Sequence, residues 1–165
     1  MPIAPLPVIC SSPWIAIKNC SSSTWRAKTR RWNLSGNRRS STTTTAALKL
    51  ARAATGRDYV ALCRDHPFFA IHDWFIGTTG INAGIPQAVQ DLSLTFRYND
   101  PDSLRTLFRQ YPNRIACVIL EPAKYGDPAD GFLHEVQAIC QEHGAVFVLD
   151  EMITGFRWHN GGAQK

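Results

Sequence analysis

The stretch "VFVLDEMITGFR" (residues 146–157) decides how this chain folds. Four apolar residues run directly into two carboxylates, Asp150 and Glu151. A continuous apolar run of this length reads as a strand buried on both faces, as in a parallel sheet covered by helices. In open sheets of that kind, ligands sit beyond the carboxyl ends of the strands. The two acids therefore stand where chemistry is expected. An acid there can bind a cation, a sugar hydroxyl or a protonated ring nitrogen; it can equally cap the next element or pair with Arg157.

The residues upstream support the same architecture. "GFLHEVQAICQEHG" (131–144) places Leu133, Val136, Ile139 and Cys140 on one helical face and stops at Gly144. "IACVILEP" (115–122) is a second buried run, ended by Glu121 and Pro122. Strand, helix and strand at this spacing make a βαβ unit with an expected right-handed crossover. Further back, "SLRTLFRQY" (103–111) reads as a helix with Asp100 or Asp102 as its N-cap. "DYVALC" (58–63) reads as a short strand, and "TTAALKLARAATG" as a helix with Gly56 as its stop. Between these lies "RDHPFFAIHDWFIGTTGINAGIPQ" (64–87), a long irregular stretch of the sort that more often carries function than accident. The expected fold class is α/β, with a mostly parallel sheet.

Residues 1–43 have a different composition. Residues 1–57 hold ten Lys/Arg and no acid, whereas residues 58–165 hold eight Lys/Arg and thirteen acids. Beyond a short apolar patch around Trp14 to Ile17, no period of 2 or 3.6 runs through "CSSSTWRAKTRRWNLSGNRRSSTT". Three readings stay open: an organelle transit peptide, a basic segment gripping nucleic acid through phosphates and stacking, or a poorly ordered tail of foreign origin.

Several classes are excluded. No run of 18 apolar residues exists that would span a membrane as a helix. Cys10, Cys20, Cys63, Cys117 and Cys140 are scattered without CxxC spacing, which suits reduced thiols and a cytoplasmic protein. No GxGxxG, GxxxxGK[ST] or GxSxG motif occurs. Cys63, His66, His72 and Asp73 crowd together, but their spacing matches no zinc pattern, so no metal is expected. "SSTTTT" (40–45) opens the first helix, where hydroxyls and free N–H groups make either a phosphate corner or a plain N-cap.

"TTAALKLARAATGRD", "HDWFIGTT", the strand ending in "LEP", "GFLHEVQAICQEHGA" and "LDEMITGFRW" with the later "GGAQ" resemble the class-III, fold-type-I aminotransferases. The likeness is greatest to the glutamate-1-semialdehyde 2,1-aminomutase group, and it covers residues 44–165 in register. It implies part of the large domain that binds pyridoxal phosphate, preceded by a separate basic segment, 1–43. It also implies roles. Asp150 falls where the family's aspartate contacts the pyridinium nitrogen, and Met152 where an apolar side chain lies against the ring. Glu121 falls near the substrate or the ring hydroxyl, and Ser40 and Ser41 at the phosphate corner. Phe68 or Phe69 takes the other ring face, with His66 beside them, because Asp65 occupies the place of the usual aromatic.

The resemblance implies a small-molecule amino donor or amino aldehyde as substrate and a homodimer for the intact protein. It implies no membrane or nucleic-acid partner. It also implies that the Schiff-base lysine, on a Gly-Lys-Ala motif beyond "GGAQ", is absent from this chain, since neither Lys124 nor Lys165 has the right neighbours. The chain alone is then inactive. The contrasting reading is a non-enzymatic basic protein that binds nucleic acid or an acidic surface through residues 1–43.

Overall fold

A computed structural model describes residues 14–18, 24–27, 30–33, 40–65, 70–123, 126–155 and 157–159, those up to Ser41 by their backbone. β1 (Trp14–Lys18) is followed by a two-stranded antiparallel ribbon of β2 (Thr24–Ala27) and β3 (Arg30–Asn33). Then come α1 (Ser40–Thr55), β4 (Tyr59–Cys63), α2 (Asp73–Ile76), α3 (Gln87–Gln90), β5 (Ser93–Phe96) and α4 (Pro101–Gln110). The order closes with β6 (Ile115–Leu120), α5 (Phe132–Glu142) and β7 (Val146–Glu151). The five strands β1-β7-β6-β4-β5 form one sheet, and every pairing in it is parallel.

The expected α/β architecture is present, and the two strongest strands sit inside the sheet. β6 is buried at all six positions, as a strand between two others and under helices on both faces must be. Alternation along the strands divides the core. Ala61, Val118, Leu120, Phe147 and Leu149 meet Leu104 and Phe108 of α4 and Val136, Ile139 and Cys140 of α5. Val60, Leu62, Cys117, Ile119 and Val148 meet Ala47, Leu48 and Ala51 of α1 with Trp74 and Phe75 of α2.

The helix ends follow local chemistry. Of the two acids proposed to cap α4, Asp100 does so, accepting the Ser103 N–H at 3.0 Å. Gly144, at φ +63, takes the left-handed conformation that ends α5 and costs a side-chain-bearing residue most. Arg57 ties the amino edge together: its Nη1 donates to the carbonyls of Ile115, at 3.1 Å, and His143, at 2.8 Å.

α1 begins at Ser40, in the tract read as opening the first helix. Two features depart from the sequence reading. The irregular stretch 64–87 holds one-turn helices, α2 within it and the start of α3 at its end. β5 is a four-residue edge strand, too short to show a period.

Candidate functional site

The site is set by what leaves the carboxyl edge of the sheet. Asp150 and Glu151 close β7 and are buried, and Glu121 directly follows β6 and is buried as well. Strand alternation carries Glu121 onto the face of Ile119, and Asp150 onto the face of Val148. Both residues thus share the side of the sheet covered by α1. Because α1 joins β4 through only residues 56–58, it runs antiparallel to the strands, and its N-terminus points toward this same edge.

Asp150 is 3% exposed, and its Oδ1 accepts the Met152 N–H at 3.1 Å. A carboxylate out of water needs such donors, and this one fixes the orientation of the group. Met152 is half-buried and packs against the core on the α1 side, which brings its side chain to the face shared by Asp150 and Glu121. The turn after β7 closes tightly: Gly155 N–H donates to the Glu151 carbonyl at 2.8 Å, and a Cβ on Gly155 would stand 2.7 Å from that same oxygen.

Other expected positions are distributed unevenly. Ser40 and Ser41 form the first turn of α1, at the edge the phosphate-corner reading requires. Two of the neighbouring hydroxyls are already committed to the fold. Thr44 is fully buried, and Thr45 Oγ1 accepts the Trp74 indole N–H at 2.8 Å. His66, Phe68 and Phe69 lie outside the described residues. Asp65, which stands where the family has its aromatic, accepts the Tyr98 N–H at 2.8 Å. Among the described residues no group of three His, Cys, Asp or Glu side chains is placed to hold a metal ion.

Sequence reasoning missed Tyr98. It follows β5, donates its hydroxyl to the Pro122 carbonyl at 2.6 Å, and sets its ring edge-on to Phe132 at 5.2 Å. Burial, with Cys63 and Asp127 nearby, pushes its hydroxyl up to about 12. Also missed was a cleft of about 400 Å³ between the loops that leave β6 and β7, lined by Asp127, Thr154, Arg157 and Trp158 among others. Arg157 had entered only as a pairing partner for Asp150. The Tyr98 bond and the cleft join loops far apart in sequence, so no local pattern marks them.

A pyridoxal ring fits this donor set. A buried, oriented carboxylate at a strand end suits a protonated ring nitrogen, an apolar side chain two residues on suits a ring face, and a helix N-terminus suits a phosphate.

The model of the family described as "Aminotransferase class-III" matches residues 30–162. That match starts earlier than the resemblance over 44–165. An omega-transaminase from Sphaerobacter thermophilus superposes with a TM-score of 0.67 at 27% identity, over 76% of this chain and 32% of that one. The FumI protein of Sphingopyxis sp. MTA144, solved in its internal aldimine form with pyridoxal phosphate, gives 0.62 at 31% identity, over 72% of this chain and 29% of that one. A transaminase with the cofactor bound, at 22% identity and a TM-score of 0.66 over 75% and 32% of the two chains, agrees in fold. The chain thus spans about a third of the length of the structures it matches. It belongs to the class-III aminotransferases, a family dependent on pyridoxal phosphate.

Proposed function

We propose that this chain is the central piece of a large domain that holds pyridoxal phosphate for amino-group transfer. The observation that carries the proposal is Asp150: buried, oriented by Met152 N–H, and placed at the carboxyl end of an internal parallel strand within the family match. In this reading the Asp150 carboxylate accepts a hydrogen bond from the ring nitrogen and holds the proton there. Met152 lies against one ring face, and Glu121 bounds the site on the neighbouring strand. Ser40 and Ser41 receive the phosphate at the N-terminus of α1. For the opposite ring face the family resemblance offers Phe68 or Phe69, with His66 as a lesser candidate. When bound, the cofactor supplies an electron sink for the pair left behind as a proton leaves the substrate carbon.

The whole protein would act on a small-molecule amino donor. "LDEMITGFRW", which carried the likeness to the glutamate-1-semialdehyde aminomutase group, extends this to transfer within one amino aldehyde. The highly exposed Ile71 and Ile81 beside α2 support a surface covered by a second copy in the intact homodimer. Cys63, Cys117 and Cys140 are buried and not joined in disulfides, which supports a reducing, cytoplasmic setting. With about a third of its relatives' length, the chain alone is proposed to bind cofactor without turnover.

Titrating the chain with pyridoxal phosphate and following tryptophan quenching tests the reading. Saturable binding, weakened about tenfold or more in Asp150→Asn, is expected, since the amide loses the charge that favours a protonated ring. Equal affinity of the two proteins would remove Asp150 from the site.

A further inference from the structure

The first turns of α1 are made from residues that hold a helix poorly. "SSTTTT" (40–45) opens it, with no acid in the first turn to meet the helix dipole. Ser and the β-branched Thr rank well below Ala or Leu as helix formers, and Ser offers its backbone competing hydrogen bonds. "AALKLARAA" (46–54), which follows, is built from strong formers. The helix is thus intrinsically firm at the end that joins β4 and weak at the end that faces the carboxyl edge.

Tertiary contact supports the weak end. Thr44 is fully buried, and Thr45 Oγ1 accepts the Trp74 indole N–H at 2.8 Å. Trp74 is itself fixed from the other side. It is 5% exposed in α2, lies in the core cluster of Ala47 and Leu48, and sets its ring edge-on to Phe75 at 6.0 Å. Its carbonyl accepts the Ser93 hydroxyl from β5 at 2.5 Å. Three residues on, a Cβ at Gly77 would stand 2.9 Å from the Asp73 carbonyl oxygen and 3.0 Å from Gln90 Cγ, so α2 closes tightly against α3. Thr45 follows Ser41 by about one helical turn, so the indole grips α1 on the face of Ser41.

We propose that Trp74 is a positioning residue for the phosphate corner: by holding Thr45 it keeps the first turn of α1 helical and its free N–H groups gathered. The inference rests on the reading that Ser40 and Ser41 receive the cofactor phosphate. Trp74 touches no ligand in this role; it acts through Thr45. The frame runs from β5 through Trp74 to α1, so the edge strand of the sheet steadies a helix end that its own residues leave loose. The coupling is reciprocal. Whatever orders the turn strengthens phosphate binding, and bound phosphate orders the turn.

The test compares binding of pyridoxine phosphate and pyridoxine to the full chain by calorimetry; neither has an aldehyde to condense with lysine. The wild-type chain is expected to prefer the phosphorylated compound. Thr45→Val, which keeps the side-chain shape and removes the acceptor, is expected to reduce that preference about three- to tenfold, the worth of one hydrogen bond. Trp74→Phe reduces it comparably, and Thr45→Ser, which keeps the hydroxyl, retains it. Affinity for pyridoxine itself stays at the wild-type value in all three, which a general loss of structure would not allow. Without ligand, amide exchange at Thr44 and Ala46 quickens in Thr45→Val and Trp74→Phe. If the wild type shows no preference, the phosphate corner is wrong and the proposal falls with it. If the wild type shows the preference and Thr45→Val keeps it in full, the corner stands and Trp74 has no part in it.

Discussion

The hydroxyl of Tyr98 donates to the carbonyl of Pro122 at 2.6 Å, so the segment leaving β5 holds the segment leaving β6 one residue beyond Glu121. Residues drawn from two non-adjacent strands thereby share one hydrogen bond at the carboxyl edge.

Tyr98→Phe removes that bond and little else. A loss of about 0.5–1.5 kcal/mol in urea unfolding is expected. Amide exchange should quicken at Ala123, whose loop the bond restrains; unchanged exchange there would show that Tyr98 does not hold it.

Arg57→Met should destabilise the chain by about 1.5–3 kcal/mol, because a charged donor is lost from the carbonyls of Ile115 and His143 together. Calorimetry measures this. Cofactor binding, at the opposite edge of the sheet, should keep its wild-type affinity in conditions where the variant is folded.

Gly155→Ala would press a methyl group to 2.7 Å from the Glu151 carbonyl oxygen. The contact is with backbone, so the turn itself must move, at a cost of about 1–3 kcal/mol. Thermal unfolding should show the loss, and the Trp158 indole resonance should move even without ligand.

Alkaline pH should unfold the chain through its buried thiols. Burial pushes Cys117 from 9.0 up to about 12, and Cys140 is raised for the same reason. A raised acid favours the neutral form in the fold. The stability is therefore complete below pH 9 and is lost as pH rises toward about 12. Urea midpoints between pH 8 and 11 should fall, and Cys117→Ala should make the slope shallower by up to about 1.4 kcal/mol per pH unit. Parallel slopes would refute the contribution of Cys117.

Mixed with pyridoxal phosphate and reduced with borohydride, the chain is expected to yield no stoichiometric adduct. Lys18, Lys28, Lys49, Lys124 and Lys165 all lack the Gly-Lys-Ala surroundings that the family gives its reactive lysine. Peptide mapping that placed a full equivalent on any one of them would contradict this.

What could be read from the amino acids alone was whatever repeats locally. β6, α5 and β7 each present six or more residues with a single period, and their ends carry Gly144 or an acid, so their type and limits were legible. The strand-end carboxylates followed from that, and the family likeness gave Asp150 a ligand. β5 was invisible because four residues hold barely two alternations. The cleft and Tyr98 were invisible because their contacts join residues 98, 122, 127, 154, 157 and 158, which only the parallel sheet brings side by side. The three short strands within residues 1–43 illustrate the same limit: Trp14–Lys18 gains its role from β7, at the far end of the chain.

That last pairing also constrains synthesis. Ile15 lies beside Val148, so β1 leaves the ribosome long before the strand it pairs with. β4, β5 and β6 can assemble while it waits, and every intervening crossover lengthens the interval. During that time β1 stays open to whatever strand arrives first, including one from another nascent chain.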